Sequence, residues 1–438
     1  MQQSQKSFNT LNIAQIFLIF WLFSLFFPIR YVFPTHFSYQ TGLFSDFTSI
    51  SLYLSDILLF TTWIFVLPRG RSFYHVVKPL KWIALWAILV FCLHFNQDWP
   101  LSLFFLGKLL EMIVAYGTIV VIFKETNLKT AFLSLFVTLA GIQSLLALDQ
   151  FFLQHPIGLF KLGEQQLFPN AWGVAKVVVD GTAYIRGYGT FPHPNLLSAF
   201  LIASIFIGIY LFNKSQKLWA KAIIGGLILI NILGLTVTFS RAAYLAFACG
   251  LVIFFGYHFI KKQWTTGQAT TVVLILISLM LSFGIFHKFL ASRATVSDQA
   301  SLERGVYNKI AVQMIKNHPL VGVGLGESVL HMQQYSQTKL WPWQIQPIHN
   351  YFLLAAAEMG IIGALILIWI FWSHLKAITY KLKANLTTYN LILTTILCSF
   401  LVLMFFDHYF YTLQQTQFLL WIILGMIAAE TQFTTYAK

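Results

Sequence analysis

The sequence predicts an all-α integral membrane protein: one polytopic domain over 1–438, about twelve transmembrane helices, and two long extracytoplasmic loops. Three observations carry that expectation: the composition, the spacing of apolar runs, and the sidedness of the basic residues. Of 438 residues, 58% are hydrophobic and 10% charged, against roughly 25% charged in a soluble domain. A water-soluble fold is excluded. The net charge of +14 does not mark a nucleic-acid binder, which gathers Lys and Arg on one solvated patch. Here the basic residues are scattered between apolar runs, as the positive-inside rule requires.

Crossing about 30 Å of hydrocarbon takes around twenty apolar residues in a helix, because lipid offers backbone groups no other partner. Twelve runs fit: 13 to 33, 48 to 67, 80 to 95, 101 to 123, 128 to 151, 194 to 213, 218 to 238, 241 to 260, 269 to 289, 349 to 373, 388 to 408 and 413 to 430. The third is short enough to be tilted or re-entrant. Lys6 precedes the first run and no small-residue cleavage signature follows it, so it reads as a span rather than a removed signal peptide. Cys92, Cys249 and Cys398 lie inside apolar runs without CxxC spacing, and His94 beside Cys92 is too little for a metal site.

Orientation follows from the short connections. Arg69, Arg71, Lys78 and Lys81 follow span two, Lys124 and Lys129 span four, Lys214, Lys217 and Lys221 span six, Lys261 and Lys262 span eight, and Lys376, Lys381 and Lys383 span ten. Every even-to-odd connection is basic, which places both termini on the cytoplasmic side. One missed or invented helix would invert every later loop, so the regular alternation also supports the count.

Two outward loops are long, about 152–193 and 290–348, a size that is often functional. In the second, Leu302, Val306, Ile310 and Met314 recur four apart, predicting a helix from Ser301 to Asn317 that stops before Pro319, its stripe suited to core packing. The run Gly322-Val-Gly-Leu-Gly326 follows. Without a preceding strand or a long following helix it is no dinucleotide site.

The polar clusters fall on the outward side. Arg186 and the run Gly187-Tyr-Gly-Thr-Phe-Pro-His193-Pro-Asn195 precede span six, Ser240-Arg241 turns between spans seven and eight, Arg304 lies in the second loop, and His349-Asn350 begins span ten above Glu358. Charge at a span edge costs a few kcal/mol and calls for a partner, a snorkelling route or a function. Arg241 alone reads equally well as a snorkelling residue. With Arg186 and Arg304 on the same side, a shared anion site gains weight, because guanidinium forks bind phosphate bidentately. A membrane-embedded diphosphate is the natural ligand. His349 is the candidate general base, against the alternative of a capping or core histidine. Glu358 lies nine residues further, about 13 Å along a helix, so contact with His349 is not expected and an arginine of another span is its expected partner. His193 between two prolines reads first as a rigid-turn residue. Lys108 and Glu111, at i and i+3, are expected to neutralise each other. Without HExxH, Walker loop, nucleophile motif or paired carboxylates, no metal and no cofactor are expected.

Four stretches together resemble the bacterial O-antigen ligase and Wzy-type polymerase superfamily: Arg186–Asn195, Thr238-Phe-Ser-Arg-Ala-Ala243, Asn317-His-Pro-Leu-Val-Gly-Val-Gly-Leu-Gly326, and His349 through Gly363. They cover spans six to ten; the remainder resembles the family only in hydropathy. The resemblance implies a multi-pass glycosyltransferase of the bacterial cytoplasmic membrane, working in cell-surface polysaccharide synthesis, lipopolysaccharide included, without metal or nucleotide sugar. It implies a polyprenyl-diphosphate-linked saccharide donor of the undecaprenyl kind and a saccharide or lipid-saccharide acceptor as partners within membrane lipid. Arg241 and Arg304 resemble the family's diphosphate-binding arginines, with Arg293 an alternative in the same loop, and His349 its proposed base. Arg186, His193, Asn195, Asn350 and Glu358 fall in the same motifs and are expected to contact substrate. Ligase and repeat-unit polymerase are not separated by sequence. A lipid-linked sugar transporter or flippase is the rival from another class, disfavoured because no internal repeat is visible and the polar residues keep to the outer edge rather than the midplane. Trp341 and Trp343 suit an interfacial belt, with sugar stacking the second reading.

Overall fold

The structure, a computed structural model, describes residues 2–39, 42–95, 98–262, 264–294, 299–384 and 387–431. The chain opens with α1 (Gln2–Phe26), followed by an antiparallel hairpin of β1 (Arg30–Phe33) and β2 (Ile50–Tyr53). Three short helices come next, α2 (Leu54–Val66), α3 (Gly70–Val77) and α4 (Lys81–Leu93), then the long α5 (Trp99–Glu125) and α6 (Lys129–Leu153). The first long loop folds its second half into a hairpin of β3 (Lys176–Val179) and β4 (Thr182–Ile185). Beyond it run α7 (Pro194–Lys214), α8 (Leu218–Val237), α9 (Arg241–Lys261) and α10 (Thr266–Ala294). The second loop contains α11 (Gln299–Asn317) and α12 (Ser328–Tyr335), and the chain closes with α13 (Tyr351–Ala384), α14 (Thr388–Phe406), the one-turn α15 (Tyr409–Thr412) and α16 (Gln414–Thr431).

Among the described residues nine helical stretches are long and apolar enough to cross a membrane. Each of the twelve expected spans contains a helix, although the first two also run over β1 and β2, and four do not meet that measure separately. Leu54–Leu93 counts once where two spans were expected, Thr10–Phe26 is a shorter apolar helix, and α16 starts with the polar run Gln414-Gln-Thr-Gln417. At 13 residues each, α2 and α4 reach about 20 Å, less than the hydrocarbon thickness. They are joined through α3, which lays Phe73 and Val77 against Gly117 of α5, while Arg69 pairs with Glu125 at 2.7 Å.

The expected Lys108–Glu111 pair is present at 3.0 Å, but Lys108 also binds Asp56 of α2 at 2.6 Å, and Gln414 of α16 donates to the same carboxylate. Three helices thus share one charge cluster, which makes the intramembrane lysine tolerable.

A large apolar core runs through the helices, and a satellite core of Tyr307, Ile310, Ala311, Met314, Val323, Met332 and Ile348 fastens the second loop to Leu354 and Ala357 of α13. The stripe expected on α11 is therefore rotated. Ile310 and Met314 are buried as expected, but Leu302 is 70% exposed, and Tyr307 and Ala311 take the remaining inward positions.

The helix α13 is broken at Gly360, where φ is 70° and ψ 174°. The residues around the glycine run fill the break. Val323 N donates to Ala357 O (2.8 Å), Gly324 N to Glu358 O (3.2 Å), Ile361 N to Pro319 O (2.9 Å) and Trp86 Nε1 to Met359 O (2.9 Å). His94 Nε2 in turn reaches Gly322 O at 3.0 Å. Non-helical backbone at such a depth is stable only where protein supplies every partner, and here it does. A Cβ at Gly360 would overlap the carbonyl of Leu320.

Candidate active site

Five of these elements converge on a cavity of about 250 Å³. Arg186 enters from the strand-to-helix segment before α7, Arg241 from the first turn of α9, Arg293 from the end of α10, Arg304 from α11, and His349 from the segment before α13. His193 and Asn195 line it as well. Six of the eight residues singled out in the sequence therefore share one chamber, as does the alternative Arg293.

The segment carrying Arg186 is strapped to α6. Gln150 Oε1 accepts from Tyr188 N (3.1 Å) and Gly189 N (2.9 Å), and Gln143 Oε1 accepts from Thr190 N (2.8 Å). Two glutamines seven residues apart thus hold the loop on one face of a membrane helix. Arg186 donates through Nε to Thr238 O (2.5 Å) and through a terminal nitrogen to Asn195 Oδ1 (2.6 Å). It ties the α8–α9 turn to the start of α7. Burial and the nearby Arg293 bring its guanidinium down to about 10, which still leaves it charged at neutral pH.

That turn places Arg241. Phe239 takes a left-handed conformation, φ 44°, uncommon for a non-glycine residue, with its ring buried against Phe151, Phe286 and Phe289. The reversal makes Ser240 the N-cap of α9, accepting from Ala243 N. His193 caps α7 in the same way, accepting from Asn195 N at 3.2 Å, so the turn role expected for it is observed at the cavity wall. Two helix N-termini and four guanidinium groups face one space, a strong anion site. Arg304 Nε is a buried donor without a protein partner among the described residues.

His349 stacks on Tyr307, with centroids 5.4 Å apart, and its Nδ1 lies 2.9 Å from Pro347 O. A carbonyl only accepts, so Nδ1 carries the proton and Nε2 keeps its lone pair. Burial lowers the imidazole below its usual range, Asp407 opposes that shift, and Arg304 reinforces it. Asp407 itself is raised by burial, against the pull of His349 and Arg304. It accepts from Asn195 Nδ2 at 2.9 Å and from His408 N at 3.0 Å. Asp407, His408 and the cavity-lining Tyr409 were missed in the sequence, although they stand at the outward end of an apolar run, the very position that drew attention to Arg241.

His349, Asp407 and His408 bring donor atoms within 4.8 Å of one another, a two-histidine, one-carboxylate set of the kind that holds metals. Four guanidinium groups line the same cavity, and a divalent cation would face their like charge. The set fits an imidazole oriented by a carboxylate better.

Two of the residues expected to contact substrate, Asn350 and Glu358, are not among the cavity-lining residues. Asn350 caps α13, its Oδ1 accepting from Phe352 N (3.1 Å) and Leu353 N (3.0 Å) and its Nδ2 donating to Phe405 O (3.1 Å). Glu358 meets no arginine among the described residues. Its carboxylate accepts from Gly326 N (2.8 Å) and Ser328 Oγ (2.6 Å), holding the glycine loop rather than lining the cavity. At the mouth, Trp341 and Trp343 stack with centroids 5.2 Å apart, and Trp172 of the first loop lies 6.0 Å from Trp343.

Residues 226–368, from α8 through the break in α13, match the family model described as O-antigen ligase. Through this segment the chain is similar to the O-antigen ligase family. Arg241, Arg304, His349 and Glu358 all fall within the matched segment, whereas Arg186, His193 and Asn195 line the cavity from outside it. No curated protein matches the chain. Its apolar helices make the chain a multi-pass membrane protein.

Proposed function

We propose that this chain is a glycosyltransferase that moves a saccharide from a polyprenyl-diphosphate donor to an acceptor hydroxyl on the extracytoplasmic face of the bacterial cytoplasmic membrane. The observation that carries the reading is the single cavity in which four arginines surround an imidazole with a free Nε2. Arg241 and Arg304, with Arg293 beside them, hold and neutralise the diphosphate. Arg186 acts mainly as a positioning residue, since its hydrogen bonds run to Thr238 and Asn195. His349 Nε2 takes the acceptor hydroxyl proton as the oxygen attacks the anomeric carbon, and the bond from that carbon to the phosphate oxygen breaks with its electron pair going to the diphosphate. Inversion at that carbon follows. The arginines supply the charge stabilisation that a metal gives in other transferases, so no metal takes part in bond formation. Asp407 orients His349 and stabilises the imidazolium that forms, and the exposed indoles at the mouth offer flat apolar faces to sugar rings.

The test is transfer in vitro, with purified protein, a polyprenyl-diphosphate oligosaccharide, and lipid-saccharide and saccharide acceptors in separate reactions beside His349→Ala. Inverted product lost in the variant supports the assignment. Product on the lipid-saccharide acceptor identifies a ligase, and product on a second donor-linked repeat a polymerase. Movement of the donor across vesicles without transfer would establish the transporter reading instead. The break in α13 does not favour that reading, because its own loop fills it.

A further inference from the structure

A second cavity, of about 330 Å³, lies across the segment that carries His193. Pro192 lines this one and His193 the active-site cavity. The short helix α15 divides the two in the same way, with Tyr409 at its start lining the active-site cavity and Leu413, just past its end, lining the second. The remaining walls are the β1–β2 hairpin, the 160–165 turn of the first long loop and the first turn of α16. Those walls are firmly built. Gly163, at φ 98°, lies against Pro28, where a Cβ would overlap the ring. Glu164 accepts from the amides of Ile157 (2.7 Å), Gly158 (2.8 Å) and Leu159 (2.5 Å) and from Gln150 Nε2 (2.8 Å). Arg30 donates to Tyr53 Oη at 3.1 Å and pairs with Asp46 at 2.6 Å. The charges around the space cancel, Arg30 and Lys161 standing against Asp46 and Glu164, whereas the active-site cavity gathers four guanidinium groups. Balanced charge draws neither an anion nor a cation strongly. One lining group is short of a partner. Gln415 is 3% exposed, and its Oε1 is buried without a hydrogen bond among the described residues, a state rarely left uncompensated in a native protein. Phe160, 50% exposed, adds a flat apolar face to the same space.

We propose that this second cavity binds a neutral saccharide, with Gln415 Oε1 accepting from a sugar hydroxyl and Phe160 covering a ring face. Its size lies at the small end of ligand sites, about 300–1,000 Å³, and suits a mono- or disaccharide. A sugar matches the walls in three respects: its hydroxyls both donate and accept, it carries no net charge, and its ring has an apolar face. The sugar belongs to one of the two substrates of the transfer reaction, the donor chain or the acceptor, and in that role the inference rests on the proposed transferase. Binding itself does not.

The experiment is saturation-transfer NMR on the full-length protein in detergent, with a mixture of glucose, galactose, mannose, rhamnose and N-acetylglucosamine at millimolar concentration, repeated with inorganic phosphate in excess. At least one sugar should take saturation from the unmodified chain, and phosphate should leave that signal in place. Gln415→Leu and Phe160→Ala should each lose it, and Phe160→Ala, which trims a half-exposed ring, reads the site if the buried substitution misfolds. Arg241→Ala, in the active-site cavity, should keep it. No signal from any of the sugars on the unmodified chain would overturn the proposal. So would a signal displaced by phosphate, or one lost in Arg241→Ala and kept in Gln415→Leu and Phe160→Ala. In transfer assays Gln415→Leu should raise KM about tenfold for one substrate, and whether that is the donor or the acceptor names the source of the sugar. KM unchanged for both would overturn the substrate role. Absence of transfer by the unmodified chain, with sugar binding intact, would count against the transferase and not against the site.

Discussion

Asn195 donates to Asp407 Oδ2, 212 residues further along the chain, at 2.9 Å while accepting from Arg186 at 2.6 Å, so one amide joins a guanidinium to a carboxylate. It bridges the wall that faces phosphate and the wall that orients His349. The carboxylate and the guanidinium are both buried.

Asn195→Ala should therefore leave two buried charges each short of one partner. The expected cost is about 1–3 kcal/mol of stability, read as a lower unfolding midpoint, together with reduced transfer. An unchanged midpoint would mean that water replaces the amide.

Asp407→Asn tests the histidine assignment through pH. Burial already sets His349 below its usual range and Asp407 partly restores it, so removing the carboxylate lowers the imidazole further. The acid limb of the transfer rate, expected below pH 6.5 in the unmodified chain, should move to lower pH while the plateau falls. His349→Ala should cost about 10²–10⁴-fold on the plateau. A limb that stays in place would separate Asp407 from the base.

The arginines should divide by role. Arg241→Ala and Arg304→Ala should lower turnover by about 10²–10³-fold with little change in unfolding temperature. Arg186→Ala should lower that temperature as well, because it unties Thr238 and Asn195. Turnover and thermal unfolding measured on the three variants decide this.

Stability should fall as pH drops through about 6.5. His193, His349 and His408 are all held below their usual range by burial. The unfolded chain therefore binds more protons there, and stability rises with pH. Asp407, raised by burial, works in the opposite sense nearer the carboxylate range, one group against three. Unfolding midpoints from pH 7.5 to 5.5 check the sign.

Gly360→Ala should be more damaging than any of these. The residue has φ 70° and its new Cβ would meet the Leu320 carbonyl, so either the break or the loop that fills it must move. Loss of monodisperse protein, or a midpoint lowered beyond that of Asn195→Ala, is expected.

Much of this architecture was legible in advance, for physical reasons. Hydropathy marks where helices run, and the glycine and arginine motifs near His349 mark the outer face. Six of the expected residues share a cavity, carried there by the starts of α7 and α9, by α11 and by the segments before α7 and α13. Local patterns do not contain what distant partners decide. Glu358 looked like a charge seeking an arginine, yet its partners are Gly326 N and Ser328 Oγ. Asn350 looked like a ligand contact and is a cap. Nothing in the local sequence marks Gln143 and Gln150 as the residues that hold the Tyr188 loop.

The glycine loop also sets an order of events. Residues 319–324 leave the ribosome before Ala357, Glu358 and Met359, whose carbonyls two of their amides and Trp86 satisfy. Their docking site does not exist while they are being made. The segment must wait outside the bilayer until α13 has been delivered by the insertion machinery, and then be drawn back against it as a late maturation step.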